Sequence, residues 1–479
     1  MASNMIEKLK ISDATRLILD CEAARVVSHH DADGITAAGI LCHALSRLGK
    51  RFQASIVSQL DCDVVERLNR ERGGGSGNDG GADVDTCGLL TIFCDMGAGH
   101  ADIISKVAGD ALVIDHHTPV GELSCPHVNP HLVGIDGAFE LSASGAVYAV
   151  VKGLASENID LSGLAITGAI GDKQLMIGAN ADILNDGVQN GIIHVRKGLR
   201  IGDGEIADLL ERNIEIYLDF TGDASKVKSF LDEIDVNGRL GELTEPQLRR
   251  LGTALTLKLL RRSSPDVIET LVGDVCLLPR EVISNVDDFV SALHACARLN
   301  ELGLALSLCL RDRSGVSHAT QAAVEYQHML VAAMRAAEPG IMHGDHIKYL
   351  RLHDAEATGI IASTVTRFLH PDQPCIVLNE SDDRIKISGR GTKSLVARGL
   401  DLAEVLRIAS ESAGGRGGGH NIAAGAAIPK DAADAFISIA DSIVGKQLNG
   451  DCKAEGGKNG TVDEKGNMDR DRQEKESES

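Results

Sequence analysis

The residues with chemical capacity cluster at the ends of short apolar runs. Ala111–His117 reads ALVIDHH and closes in an aspartate and two histidines. Ala24–Asp33 closes in SHHDAD, Leu89–Asp95 in FCD, and Leu164–Asp172 in GD. Each run reads as a buried strand whose last residues carry hard oxygen or imidazole ligands. In an open parallel sheet, ligands bind beyond the carboxyl ends of the strands. Strands so arranged would bring His29, Asp31, Asp33, Asp95, His116, His117 and Asp172 to one cleft, enough to hold two divalent metals. Oxygen and imidazole donors without thiolate favour Mn²⁺ or Mg²⁺ over structural zinc. Asp31 and Asp33 flank a single residue, a spacing that suits two neighbouring ions, and Gly34 lets the chain turn sharply into a helix. A pair of such ions lowers the pKa of a shared water and clamps both oxygens of an in-line displacement. Carboxylates that merely cap helices would not call for histidines at two of the same sites.

The elements that must position these groups follow from periodicity. Residues 12–20 read as an amphipathic helix, 26–28 as a strand and 35–50 as a helix opening after the acidic turn. The alternation repeats to about residue 172 and predicts an α/β fold with a doubly wound parallel sheet. Gly73–Gly81, GGGSGNDGG, lacks the Lys-Ser/Thr of a phosphate loop and has no apolar strand before it, so it reads as a flexible surface insertion. Residues 182–337 are mostly helical in pattern. Within them Glu245–Arg262 forms an amphipathic helix carrying Arg249, Arg250, Lys258, Arg261 and Arg262, either a solvated basic face or one wall of a nucleic-acid channel. A second α/β unit begins near Gly344, with strands expected over 346–352, 375–378, 384–388 and 422–428 and helices over 359–369, 402–412 and 430–444. Near its end GGRGGGH, Gly414–His420, combines glycines that permit close backbone approach and expose N–H donors to an anion with Arg416 and His420. From Asn449 the chain is polar and charged and is expected to be a disordered tail. The organisation expected is therefore 1–181, a mainly helical region 182–340, a smaller α/β domain 341–448, and the tail 449–479.

Composition narrows the function. The chain has 479 residues, a formal net charge of −21, 3% aromatic residues and no tryptophan. A surface coated for phosphate is excluded, although a narrow basic or metal-lined groove is not, because the local field decides steering. A platform of several stacked aromatics is hard to build from this composition. The 11 cysteines are dispersed, with no CxxC, and read as free thiols in a reducing cytoplasm. No run approaches the roughly 20 apolar residues of a membrane span, and the first residues lack the apolar core of a signal peptide.

Taken together, HHDADG, FCDMG, VIDHHTP and IGDKQ, with GGRGGGHNIAAG near the end, resemble the DHH phosphoesterases that carry a DHHA1 domain. The likeness spans about residues 20–175 and 340–445 and is strongest to the archaeal RecJ-like members, whose spacing between His29 and Asp31 the chain shares. The resemblance implies two metal ions, Mn²⁺ preferred and Mg²⁺ possible. It implies that Asp95 bridges them, that His29 and Asp31 hold one, and that Asp33, His116 and Asp172 hold the other. His117 would face the scissile phosphate or leaving group, with Asp115 orienting the histidine pair. In the second domain, Arg390, Arg416, Gly417, Gly418, Gly419 and His420 would hold substrate phosphate. The activity implied is hydrolysis of single-stranded nucleic acid from an end, DNA more than RNA, in the cytoplasm. A GINS-containing replication complex is the partner the likeness suggests. Two rivals stay open: a phosphodiesterase for short oligoribonucleotides or cyclic dinucleotides, and a replication-fork scaffold with little activity.

Overall fold

The computed structural model describes residues 5–72, 88–381 and 384–449. The glycine tract at 73–81 and the tail from residue 450 lie outside them. The chain divides into two compact units, Met1–Gly340 with Arg367–Pro371, and Ile341–Thr366 with Asp372–Ser479.

The first unit is organised by a five-stranded sheet of strands β1 (Ala23–His29), β2 (Arg51–Val57), β3 (Leu89–Cys94), β4 (Ala111–Ile114) and β5 (His127–Val128), in the order β2-β1-β3-β4-β5. Every pairing is parallel. The central strands read as unbroken apolar runs because both faces are covered. Val26, Ile92 and Leu112 belong to a core under the helices Ala32–Arg47, Ala143–Leu154 and Ser162–Gly171. Val27, Phe93 and Val113, one residue on, belong to the opposite core with Val65 and Leu68 of the helix Cys62–Arg72. The order reverses direction between β1 and β3. That switch point opens a crevice at the carboxyl ends of the two strands.

The run Leu164–Asp172 is not a strand. It lies in the helix Ser162–Gly171, with Asp172 as its C-cap. Residues 162–169 are all buried, so an all-apolar run carries no periodicity to separate helix from strand. The rest of the unit is mainly helical, and its helix Glu245–Leu260 opens with a capping box of Thr244 and Gln247. It also contains an antiparallel ribbon of β6 (His194–Leu199) and β7 (Val272–Leu277) that local pattern does not predict. Helix Val286–Arg298 contributes Val286, Phe289 and Leu293 to the same core as Ile35 and Ile166. Arg311 binds Asp160 and Glu281, and Arg47 also binds Asp160, a half-buried ion network joining distant segments.

The second unit is a six-stranded sheet of β8 (Met342–His343), β9 (Lys348–His353), β10 (Cys375–Glu380), β11 (Ile385–Arg390), β12 (Arg416–Gly419) and β13 (Ala423–Ile428), ordered β12-β13-β11-β10-β9-β8. The glycine-rich run is thus an edge strand. Helices Leu402–Ser412 and Ala433–Asn449 pack on one face through Leu402, Val405, Leu406, Phe436, Ala440 and Val444.

Candidate metal centre

β1 and β3 run side by side, with Ser28 opposite Cys94. His29 and Asp95 therefore emerge together at the switch point. Asp95 turns out of its strand at φ +58°, a left-handed conformation that costs a non-glycine residue energy and is kept where the surroundings enforce it. Asp31 is the N-cap of the helix Ala32–Arg47 and accepts from the Gly34 N–H. Asp33, in the first turn, is fully buried. Its two oxygens accept from the N–H groups of Ala143 and Ser144 at 2.7 and 3.0 Å, so the first turn of the helix Ala143–Leu154 fixes it. Gly168 makes this possible: a Cβ there would lie 2.2 Å from Ser144 Oγ and 2.4 Å from Asp33 Oδ1.

Beyond β4, Asp115 is the hub of the DHH run. Its Oδ2 accepts from the Ala98 N–H, and its Oδ1 accepts from the His116 and His117 N–H groups and from His117 Nδ1 at 2.8 Å. These donors, His117 first, hold the Asp115 carboxyl well below the usual range despite its burial. In return Asp115 raises the pKa of His117. His116 Nδ1 donates to the Gly137 carbonyl at 2.7 Å, which leaves Nε2 facing Asp95 and Asp172, each at 3.3 Å. Gln174 also donates to Gly137 at 2.8 Å, and Asn180 donates to Gln174. Gly137, Gln174 and Asn180 are positioning residues that sequence reasoning missed. Only Gln174 lies inside a quoted motif, IGDKQ, and its partners are remote in sequence.

The side chains named from the sequence converge. Ligand atoms of His29, Asp31 and Asp95, of Asp33, His116 and Asp172, and of Asp95, His116 and His117 each fall within 4.8 Å of one another. Asp95 and His116 are shared between groups. Among the described residues this cluster is not fully neutralised. Both carboxylate oxygens of Asp95 are buried without a hydrogen-bond partner, as is His29 Nδ1, which approaches Asp31 at 2.8 Å without bonding geometry. Burial, with Asp31 beside it, pushes the Asp95 carboxyl up to about 7. Burial and Asp33 push Asp172 well above its usual value. Burial opposes a charge on His29, but Asp31 and then Asp95 overcome it and raise the imidazole to about 10. A cavity that draws protons onto carboxylates and imidazoles alike is short of positive charge, and divalent cations supply it. The donor set fits hard or borderline ions bound by oxygen and nitrogen.

In the second unit, cross-strand partners point to one face. Ser388 and Gly418 both lie opposite Gly425, while Arg390 lies opposite Ala423 and Arg416 opposite Ala427. These residues therefore share the face away from the Leu402–Ser412 helix. Arg390 is half-buried, makes no ion pair among the described residues, and is held below the usual guanidinium range by burial. Gly417 points the other way: a Cβ there would meet the Leu406 carbonyl oxygen at 2.6 Å, whereas one on Gly418 meets nothing within 4 Å. Gly419 ends the strand, and exposed His420 sits in the turn, bonded through its backbone to Ala423. Among the described residues no helix is long and apolar enough to cross a membrane.

The sequence matches the DHH family, N-terminal domain, over residues 24–170 and the DHHA1 domain over residues 344–446. An uncharacterized protein of Methanocaldococcus jannaschii is 31% identical over 461 residues, 93% of this chain and 100% of the relative. RecJ from Thermus thermophilus, solved in complex with Mn²⁺, is similar in fold, with a TM-score of 0.55 at 18% identity. The match covers 93% of this chain and 55% of that one, so this chain spans about half of that RecJ. CDC45 from Entamoeba histolytica is similar too, with a TM-score of 0.60 at 11% identity over 90% of this chain and 97% of that one. Motifs, sheet order and matches agree, and the chain belongs to the DHH family, joining a DHH N-terminal domain to a DHHA1 domain.

Proposed function

We propose that the protein is a two-metal phosphodiesterase that shortens single-stranded nucleic acid from an end, DNA in preference to RNA, with Mn²⁺ preferred over Mg²⁺. The observation that carries this reading is Asp95, a buried carboxylate with no donor to either oxygen, shared between two ligand groups. His29, Asp31 and Asp95 would hold one ion and Asp33, His116 and Asp172 the other, with Asp95 common to both. The ions supply an activated water and a clamp on the attacking and leaving oxygens. The protein's own groups do the rest. The N–H groups of Ala143 and Ser144 keep Asp33 in place, and the Gly137 carbonyl fixes the His116 tautomer, as ligating histidines require. His117 is half-exposed, and its Asp115 partner raises its pKa, which suits it to hand a proton to the leaving oxygen as a general acid. In the DHHA1 domain, Arg390, without a carboxylate partner among the described residues, would offer its guanidinium to a terminal phosphate, with Arg416 and Gly418 on the same sheet face and Gly419 and His420 at the end of the edge strand.

The likeness in fold to CDC45 favours a second reading, a scaffold in a replication complex of the GINS-containing kind. The complete ligand set argues for hydrolysis, because a scaffold has no use for a buried, unneutralised carboxylate cluster. The test is digestion of end-labelled single-stranded DNA and RNA, in both polarities, with Mn²⁺ supplied and then chelated. Metal-dependent shortening from one end is expected. Cleavage confined to dinucleotides would favour the small-substrate reading, and no cleavage of any substrate would leave the scaffold.

A further inference from the structure

Eight phenylalanines serve a chain without tryptophan. Phe93, Phe220, Phe230, Phe289, Phe368 and Phe436 are buried, Phe52 is 38% exposed at the start of β2, at the end of the sheet opposite the ligands, and Phe139 is 46% exposed. Leu175 and Ile177 are 42% and 46% exposed. Single apolar residues on a surface need no explanation, but these belong to two segments tied together. The Leu175 N–H donates to the Phe139 carbonyl at 3.1 Å, and the Asn180 N–H to the Glu140 carbonyl at 2.8 Å. The turn that presents Phe139 is itself closed by the Glu140 N–H on the Asp136 carbonyl at 2.8 Å. The pair of segments therefore forms a fixed apolar lip.

Its place is set by the ligands. Phe139 follows two residues after Gly137, whose carbonyl holds His116 and Gln174. Leu175 adjoins Gln174 and follows three residues after Asp172. The lip thus borders the metal centre on its His116–Asp172 side. A phosphoester bound at that centre with one ester oxygen toward this side lays that oxygen's nucleoside along the border. We infer that Phe139, backed by Leu175 and Ile177, stacks on the nucleobase next to the scissile phosphate. The inference rests on the phosphodiesterase reading and adds a substrate contact to it. A single ring beside the centre contacts one base, which suits a chain too poor in aromatics for an extended stacking track. A ring reads every base alike, so the contact favours nucleotides over other phosphoesters without selecting sequence.

The test pairs two substrates with three variants, each checked for unchanged metal content and melting temperature. The substrates are a short single-stranded oligomer and the same oligomer with two abasic residues at each end. Loss of a stacked base costs about tenfold in kcat/KM, within the range of base–aromatic contacts. The parent protein is expected to lose that factor on the abasic oligomer. Phe139→Ala and Phe139→Leu are expected to lose it on the normal oligomer and nothing further on the abasic one. Phe139→Tyr keeps the parent behaviour. Equal activity of Phe139→Ala and the parent on the normal oligomer overturns the inference and leaves the lip to another partner. Equal losses on both oligomers also overturn it, because the residue then acts on the centre and not on a base. A parent protein that cleaves neither oligomer overturns the phosphodiesterase reading itself.

Discussion

Asp95 and Asp115 differ in what surrounds them, and the difference predicts different losses. Asp95 offers two buried oxygens that accept no hydrogen bond from the described residues. Asp115 is saturated by N–H donors from Ala98, His116 and His117. On the proposed assignment, replacing Asp95 by Ala removes the carboxylate that both ions would share, so metal content and hydrolysis should fall together, the latter by more than about 100-fold, beyond the cost of an outer-shell change. Metal analysis and rate measurement on one sample check this, and near-normal values of both would refute the assignment. Asp115→Asn keeps an acceptor for the N–H groups but removes the negative charge beside His117 Nδ1 that raises its pKa. A loss of about 10–100-fold in kcat with metal retained is expected. Metal loss from Asp115→Asn as deep as from Asp95→Ala would mean that Asp115 is itself a ligand. All of these groups are legible in the sequence, because each closes a run of apolar residues. Gly137 and the role of Gln174 are not: a carbonyl that orients a ring and an amide that shares that carbonyl carry no local pattern.

At the scale of elements, legibility follows burial. β1, β3 and β4 are apolar runs ended by ligands, and they form the strands expected of such runs. Residues 162–171 have the same composition and form a helix, so Asp172 reaches the centre from a helix end and not a strand end. β6 and β7 are invisible to local pattern because they pair across some eighty residues, with Val195 opposite Cys276, and strand preference depends on such neighbours more than on the strand itself. Spacing alone groups the glycines of β12 as one anion-binding loop, yet in the strand they alternate. Gly417 faces the helix Leu402–Ser412, where even one methyl would strike the Leu406 carbonyl and Ser410 Oγ at 2.6 and 2.7 Å. Gly418 faces open space beside the side of the sheet that bears Arg390. Gly417→Ala should therefore cost about 1–3 kcal/mol, as overpacking does, and lower the melting temperature. Gly418→Ala should leave the melting temperature unchanged and weaken the hold on a terminal phosphate. Thermal melts and phosphate-dependent binding titrations of the two variants decide it; identical behaviour would return both glycines to a single role.

For the whole molecule the governing quantity is charge. A net charge of −21 repels a polyanion unless local cations intervene, and the helix Glu245–Leu260 is the strongest candidate stripe in the sequence. Most of that stripe is already neutralised. Arg249 pairs with Glu245, Arg250 with Asp235 at 3.3 Å, and Lys258 with Asp219 at 3.1 Å. Lys258 also lies over the rings of Phe220 and Phe230. Exposed pairs of this kind add little stability, but a cation held beside a carboxylate has little net charge to offer a phosphate. Arg261 and Arg262, exposed just past the helix, make no ion pair among the described residues. If a long strand runs along this surface, its phosphates meet those two. Each phosphate contact to a single strand adds about 0.7 to the slope of log affinity against log salt. Replacing Arg261 and Arg262 together should therefore flatten the slope for a long single strand by up to about 1.4, while replacing Arg249 and Arg250 should leave it nearly unchanged. Hydrolysis of a dinucleotide should respond to neither pair. A flattening produced by Arg249 and Arg250 instead would mean that their ion pairs open on binding and that the helix is a channel wall after all. No change from either pair would place the strand on another surface.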